Sequence, residues 1–426
     1  MRFVHAADIH LDSLLLNLAL TEETQIGRMQ GASRSAFDRL VQLCIDRDAA
    51  FLLLSGDLFD HDKPNMQTVR YLRSQLLRLN DKGIRVAIIK GNHDALNRTS
   101  SGLEPPPKTH VFREGKPDTK LWDDLPVPIA IHGQSFSAGP VTENLAARYP
   151  AAVAGYLNIG LLHTSLVGNE DHDPYAPCTL AELVAHGYDY WALGHIHKGA
   201  VLHREPWVVY PGNLQGRHAK ETGPKGCVLV EIENTRIAHV EPVALDTVRW
   251  EQVAIDLAGR VNWYELTDAV RHGLAEAYGN ADGRPLAARV LLTGHTPLHG
   301  EIEIGPARLR HLVTELADEE GAGEIWIEKI RNDTSPADSV ADERSTAIEL
   351  PSELLPIVRE LTSDPARLAG LLEEELGALR SRLPEELRRF SLLDELADPA
   401  QAGAAVSRLE ARLAARLAGR EDRGDS

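Results

Sequence analysis

Leu53–Asp60 reads LLSGDLFD, and Ala87–Asp94 reads AIIKGNHD. In both, a short apolar run stops at a glycine and hands over at once to an acid, an amide or a histidine. A buried strand delivers polar side chains to the rim of a sheet in this way. The N-terminal half repeats the arrangement. Arg2–Ala6 (RFVHA) runs into Asp8 and His10, Leu157–Leu162 into His163, and Tyr188–Leu193 into Gly194, His195, Ile196 and His197. Five strand ends are therefore expected to converge on one cluster of oxygen and imidazole ligands.

The chain has 426 residues, more than one ordinary core accommodates, so two or three domains are expected. Hydrophobic residues make up 43% and charged residues 25%, a globular composition. No stretch is apolar for long enough to span a bilayer, and Met1–Asp12 carries acids and histidines where a signal peptide would be greasy. The three cysteines, Cys44, Cys178 and Cys227, are scattered and odd in number, which suits buried free thiols in a reducing cytoplasm. A net charge of −18 argues against broad adhesion to nucleic acid. It leaves nucleic acid open as a substrate, because bound divalent cations reverse the field locally.

From Met1 to Leu245 strands alternate with helices and loops. Arg28–Asp48, with Met29, Phe37, Leu40, Val41 and Cys44, has helical spacing, and Gln67–Asn80 repeats it before the strand Ile84–Ile89. Arg98–Asp118 reads as a long surface loop. Strand Val127–His132, a helix over Val141–Tyr149 and strand Leu157–Leu162 follow, and Trp207–Tyr210 and Cys227–Glu233 are late strands. The mixture predicts a layered α/β sandwich over residues 1–245. Residues 246–331 read strand, helix, strand, helix, strand, a small α+β unit. Residues 332–350 are polar and read as a linker. Residues 351–419 are helical in period, with Leu371, Leu372, Leu376, Leu379 and Leu383. They either fold back on the second unit or offer an apolar face to a partner. Residues 420–426 are expected to fray.

Asp8 and His10 lie two apart on one strand end, so both can reach one ion. Asp57 follows Gly56, where its two oxygens can bridge two cations. Asn92 offers a carbonyl oxygen, and His163, His195 and His197 offer imidazoles. Mixed carboxylate, amide and imidazole ligation suits Mn²⁺, Fe²⁺ or Zn²⁺. Two cations about 3.5–4 Å apart would share a water, lower its pKa, and clamp the attacking and leaving oxygens of a phosphoryl transfer. Each piece alone is weak, since D-x-H is a common solvated strand end and G-N-H-D a common turn. The ordered set D-x-H, G-D-x-x-D, G-N-H-D, H, G-H-x-H, each after an apolar strand, is specific.

This set resembles the calcineurin-like metallophosphoesterases over residues 1–245, and all five of their motifs are present. The resemblance implies a four-layer α/β/β/α sandwich and two divalent ions, Mn²⁺ first, with Fe²⁺, Zn²⁺ or Mg²⁺ as alternatives. It implies that Asp8, His10, Asp57 and His197 hold the first ion, and Asp57, Asn92, His163 and His195 the second. His93 would protonate the leaving oxygen, Asp60 would orient His93, and Asp94 would brace the turn. Within the superfamily the chain is similar to the nuclease subunits of the SbcCD type and to YhaO-type DNA repair exonucleases. The residues carrying this are Phe3–Ser13 (FVHAADIHLDS), Gly56–Asp60 (GDLFD), His132–Phe136 (HGQSF), His163–Ser165 (HTS), Gly194–Gly199 (GHIHKG) and Tyr210–Gly226 (YPGNLQGRHAKETGPKG). The last is the most telling, because the general phosphatase pattern does not demand it. Some family nucleases carry a histidine where Asp60 stands, so that residue's DNA-handling role does not transfer, and His61 does not replace it.

That likeness implies a DNA exonuclease, with endonuclease activity as an extension, in double-strand-break repair. A metal-bridging hydroxide would attack in line, with no covalent enzyme intermediate. Residues 246–331 would then cap the site and grip DNA. Residues 351–419 would dock on an SMC-like ATPase of the SbcC/Rad50 type, and a homodimer is expected. Lys198, Arg217, His218 and Lys220, with Arg204 and Lys225, form a basic group that either contacts DNA phosphates or is an ordinary solvated loop; Arg98 and Lys108 stand likewise. His5 and Trp122, Trp191 and Trp207 read as core, His132 as a support near the site, and Gly294-His295-Thr296 as a turn. Two rivals remain: a phosphatase or phosphodiesterase for a small or phosphoprotein substrate, and a non-catalytic scaffold for an ATPase.

Overall fold

The strands of the N-terminal half are apolar on both faces, so each must be covered twice. In β2 (Phe51–Ser55), Leu52 and Leu54 belong to one apolar cluster, and Phe51 and Leu53 to another. Side chains alternate along a strand, so these are the two faces of one sheet. The computed structural model describes residues 1–13, 23–60, 65–95, 104–137, 141–166 and 175–337. His61, Arg98, the linker beyond residue 337, and the segments 351–419 and 420–426 lie outside the described residues.

In chain order the strands are β1 (Arg2–Ala6), β2, β3 (Arg85–Ile89), β4 (Thr109–Val111), β5 (Asp118–Trp122), β6 (Ile129–Gly133), β7 (Leu157–His163), β8 (Tyr190–Gly194), β9 (Ala200–Arg204), β10 (Trp207–Tyr210), β11 (Gly226–Glu233), β12 (Arg236–Ala244), β13 (Arg249–Asp256), β14 (Leu286–His295) and β15 (Ile325–Ser335). The helices are α1 (Glu23–Gln30), α2 (Ala32–Asp46), α3 (Met66–Asp81), α4 (Asn92–Ala95), α5 (Leu180–Ala185), α6 (Trp263–Gly279), α7 (His299–Ile304) and α8 (Pro306–Gly321). Two six-stranded sheets have the orders β12-β11-β1-β2-β3-β4 and β5-β6-β7-β8-β10-β9. Strands β1 to β4 are parallel, as are β6, β7, β8 and β10, so the ends that follow them open on one rim.

Between the sheets lie Phe3, Phe51, Leu53, Ala87 and Ile89 from one, and Ile129, Ile131, Ile159, Leu161, Tyr190 and Ala192 from the other. Outside the first sheet, Phe37, Leu40, Val41 and Cys44 of α2 and Val69, Leu72, Leu76 and Leu79 of α3 pack on Val4, Ala6, Leu52, Leu54, Val86 and Ile88. Outside the second, Leu183 of α5 and Leu145, Tyr149 and Cys178 pack on Leu162, Trp191, Leu193 and Val208. This is the mixed α/β sandwich of two large sheets. The three cysteines are free and buried. No helix among the described residues is long and apolar enough to cross a membrane.

Several elements differ from the reading of the sequence. The helix expected over Arg28–Asp48 is two, parted at Gly31, which stands before the first turn of α2. The helix expected over Val141–Tyr149 is one 3-10 turn at Ala146–Arg148. Asn144 accepts the Ala147 N–H (3.2 Å) while its amide donates to Glu182 (3.1 Å), a turn in place of a ladder. The described part of the loop Arg98–Asp118 contains β4 and the start of β5, and His295 ends β14 instead of forming a turn. Edge strands β9 and β12 were not anticipated; both are half-buried to exposed along their whole length.

The described residues form two compact units. One holds Met1–Gln252 with Ala277–Arg289 and Glu324–Lys329; the other holds Val253–Glu276, Val290–Gly323 and residues 330–337. In the second, α6 buries Leu266, Val270 and Leu274, spaced four apart, and α8 buries Leu309, Val313 and Leu316. Strands β13, β14 and β15 form a three-stranded sheet in the order β13-β14-β15.

His5 on β1 is fully buried, with Tyr190 Oη at 3.0 Å from Nδ1, and Leu193 O at 3.1 Å and Ser55 Oγ at 3.2 Å from Nε2. Burial outweighs the bond to Leu193 and pulls its pKa from 6.5 down to about 3. The folded ring stays neutral while the unfolded chain takes up a proton, so between pH 6.5 and about 3 stability falls as pH falls. Urea unfolding at pH 7 and pH 4.5 is expected to show wild type losing roughly 2 kcal/mol more than His5→Gln between the two. Equal losses would mean that His5 carries no part of the acid sensitivity.

Candidate metal centre

The candidate ligands leave their strands through unusual backbone. Asp8, His10, Asp57 and His195 have φ of 51°, 46°, 53° and 100°. Side chains rarely adopt this left-handed region, and the surroundings must impose it. Backbone bonds do so: Asp8 N–H donates to Gly56 O (3.0 Å), and Ile9 and His10 N–H both donate to Asp57 O (2.8 and 3.0 Å). The turn after β1 is thereby laced to the turn after β2. The turn after β3 can approach because Gly91 has no side chain; a Cβ there would stand 2.2 Å from Asp57 Oδ1. Asp94, 3% exposed, braces the whole by accepting the N–H of Leu58 (2.9 Å), Phe59 (3.0 Å) and Gly91 (3.1 Å).

Asp8, His10 and His197 place ligand atoms within 4.8 Å of one another, and so do Asp8, Asp57 and His163. His10 Nε2 and His197 Nε2 are 3.2 Å apart, and His10 Nε2 is 4.0 Å from Asp57 Oδ2. On the other side, His163 Nε2 is 3.4 Å from Asp57 Oδ2 and 3.0 Å from Asn92 Oδ1. Asp57 Oδ2 therefore faces an imidazole of each group. His163 Nδ1–H donates to Ser55 O (2.8 Å), which leaves Nε2 as the ligand atom.

His195 is placed differently. Its backbone N–H donates to both Asp8 oxygens (3.1 and 3.0 Å), and its ring meets His163 and Tyr175 edge-on, at 5.3 and 5.4 Å between centroids. It belongs to neither group of three, and Asp8, expected in the first only, stands beside both.

His93 and Asp60 also meet otherwise than expected. Asp60, His10 and His93 place ligand atoms within 4.8 Å of one another, but the bonds of the Asp60 carboxylate go elsewhere: Oδ1 lies 3.1 Å from His10 Nδ1 and accepts Arg217 Nη1 (2.7 Å), and Oδ2 accepts Ser13 Oγ (2.9 Å). His93 Nδ1 instead reaches the backbone carbonyl of Asp60 (3.3 Å), and its own N–H donates to Asp57 Oδ1 (3.0 Å). The His93 ring lies edge-on to His10, 5.1 Å between centroids.

Of the basic group, Lys198, His218 and Lys220 are exposed, but Arg217 is half-buried on Asp60. Lys225 is buried and donates to the His197 carbonyl (3.0 Å), so it supports the ligand turn instead of meeting solvent. His132 binds Thr119 and Asn158 through its two nitrogens and stacks on Tyr188 at 4.3 Å, a packing role. The sequence reading missed Glu221, Asn213 and Ser13 as site residues. Two of them lie in Tyr210–Gly226, which was read for its family likeness and its basic residues.

Asp8 and Asp57 are 1% and 2% exposed. Burial, opposed by the His197 and His163 charges, pushes Asp8 up to about 6. Burial would raise Asp57 too, but His163, His10 and His93 outweigh it and hold it below the usual carboxylate range. Burial would lower His163; Asp57 and Asp8 override it and hold the ring up at about 9. Buried carboxylates facing imidazole nitrogens form a donor set that a hard to borderline divalent cation satisfies. The residues present fit such ions.

The segment 1–199 matches the calcineurin-like phosphoesterase family model, and 250–335 matches the metallophosphoesterase YhaO middle domain. The chain is 36% identical over 335 residues to an uncharacterized metallophosphoesterase, YhaO, of Bacillus subtilis, covering 78% of this chain and 81% of that protein. It is 25% identical over 305 residues to the DNA double-strand break repair protein Mre11 of Methanopyrus kandleri, covering 64% and 63%. It is 24% identical over 267 residues to a subunit of the nuclease SbcCD of Staphylococcus saprophyticus, covering 56% and 67%. The chain belongs to the calcineurin-like metallophosphoesterases, hydrolases of phosphoester bonds, with YhaO among its relatives.

Asp94→Ala leaves the buried N–H groups of Leu58, Phe59 and Gly91 without their acceptor, and urea unfolding is expected to show a loss of roughly 2–5 kcal/mol. Unchanged stability would show that the turn is held by other means.

Proposed function

We propose that this metallophosphoesterase is a two-metal DNA phosphodiesterase, an exonuclease with endonuclease activity as an extension, acting in double-strand-break repair. The observation that carries the reading is the pair of carboxylate–imidazole groups flanking Asp57, with His93 beside them. Divalent ions held there, Mn²⁺ first, supply Lewis acidity and acidify a water. The chain does the rest. Asp57 holds His93 in place through the backbone N–H, and the Asp60 carbonyl engages Nδ1, which commits Nε2 to carrying the proton to the leaving oxygen. His195 and Asn92 serve as the remaining ligands of the second group in this reading.

Two relatives named for DNA break repair and for nuclease activity support DNA as the substrate. The exposed Lys198 and Lys220, with His218, serve as phosphate contacts beside the His197 turn, and Arg217 reaches them only from its post on Asp60. Residues 253–337 carry 8 Lys and Arg against 14 Asp and Glu. A capping role for 246–331 therefore works by shape, while phosphate attraction belongs to the first unit's loops. Residues 351–419 dock on an SMC-like ATPase, the linker, which starts beyond Ser335 and not at 332 because β15 runs to there, giving them reach, and a relative that is itself named a subunit supports such an assembly. A homodimer and a cytoplasmic location complete the reading; three buried free thiols suit a reducing compartment.

The test is digestion of end-labelled duplex and single-stranded DNA with Mn²⁺, Mg²⁺ or Zn²⁺, alongside counts of bound metal. His93→Ala is expected to keep its ions and lose about 10²–10⁴-fold in rate. Asp57→Ala is expected to lose ions and activity together. DNA left intact while an aryl phosphodiester is cleaved would reject DNA as the substrate and favour the small-molecule rival.

A further inference from the structure

The stretch Tyr210–Gly226 sets this chain apart from the general phosphatase pattern, yet none of its residues is among the candidate ligands. Its physical role is visible in where it returns. Asn213 N–H donates to the His197 carbonyl (3.3 Å), and Glu221, 7% exposed, comes to lie against the His197 ring. Glu221 Oε1 accepts His197 Nδ1–H at 2.6 Å. Glu221 Oε2 accepts Asn213 Nδ2 (2.9 Å) and the Arg217 backbone N–H (2.7 Å). Both oxygens are engaged, so the carboxylate cannot swing away. The Arg217 side chain then reaches Asp60 (2.7 Å), whose carboxylate flanks His10 Nδ1. One loop thus holds the outer nitrogens of both imidazoles in the first group and presents their Nε2 atoms 3.2 Å apart.

On His163, in the second group, Nδ1–H goes instead to a neutral backbone carbonyl, Ser55 O (2.8 Å). A carboxylate behind a ligating imidazole fixes its tautomer and raises its basicity more than a carbonyl does. We infer that Glu221 is a positioning residue for the first of the two ions, holding His197 with Nε2 ready to ligate and making the two ion sites unequal. An ordinary buried ion network would show no preference between the two ions. The inference rests on the two-metal reading of the site.

Mn²⁺ titration of the full chain, followed by calorimetry and by the electron paramagnetic resonance signal of free Mn²⁺, tests it with wild type, Glu221→Ala and Glu221→Gln. Wild type is expected to bind two ions. Glu221→Ala is expected to weaken one by about 10–100-fold and leave the other unchanged, with the metal-free thermal midpoint lowered because the Asn213 and Arg217 donors lose their acceptor. Glu221→Gln is expected to resemble Glu221→Ala, because its NH₂ must face either His197 Nδ1–H or the two donors at Oε2. A Gln variant that binds like wild type would show that Glu221 only fills space and would overturn the inference. Equal weakening of both ions would make it a residue of the fold and overturn it too. A wild type that binds no divalent ion would overturn the metal reading itself, which separates that failure from the failure of Glu221.

Discussion

Two carboxylates buried side by side are what the site is built to sustain. Asp8 and Asp57 are almost wholly removed from water, and each raises the cost of ionising the other. Nothing in an apolar sandwich would tolerate this without opposite charge close at hand. His163, which Asp57 and Asp8 hold up at about 9, supplies part of it, and a divalent cation would complete the balance. The fold's task is to keep these groups together against their own repulsion.

It does so with backbone instead of side-chain packing. The turns after β1, β2 and β3 are tied by N–H to carbonyl bonds and by the Asp94 carboxylate, and the left-handed residues at 8, 10 and 57 are held there by those bonds. Strain of this kind persists only where the surroundings over-determine it. The two parallel runs of strands supply that rigidity, since their cores are packed on both faces. Binding groups at the rim can then be polar, because the strands beneath carry the stability.

Around this core a second ring of contacts distributes charge unevenly. On the His10 and His197 side stand Asp60, Glu221 and Arg217, and on the His163 side a backbone carbonyl and Asn92. Basic residues that would suit a polyanion are partly spent here: Arg217 on Asp60, Lys225 on the His197 carbonyl. What remains exposed near the site is Lys198, His218 and Lys220.

The residues themselves determined which strands end in ligands. An apolar run, a glycine and an acid or histidine are neighbours in the chain, so the signal is local, and β1, β2, β3, β7 and β8 were legible with most of the candidate ligands. Helices α2, α3, α6 and α8 were legible for the same reason, through apolar residues at a 3.6-residue period. The tertiary structure alone decided the partners behind those ligands. His197 and Glu221 are 24 residues apart, and Arg217 and Asp60 are 157 apart. Which carboxylate faces which ring depends on how each side chain leaves its turn, and on which loop returns over it. That direction is set by left-handed backbone and long-range bonds, neither of which leaves a periodic trace in the sequence. Hence the Asp60 carboxylate, assigned to His93, bonds Arg217 and Ser13, the His195 N–H bonds Asp8, and Glu221 passed unnoticed in a stretch read for its family likeness and its basic residues.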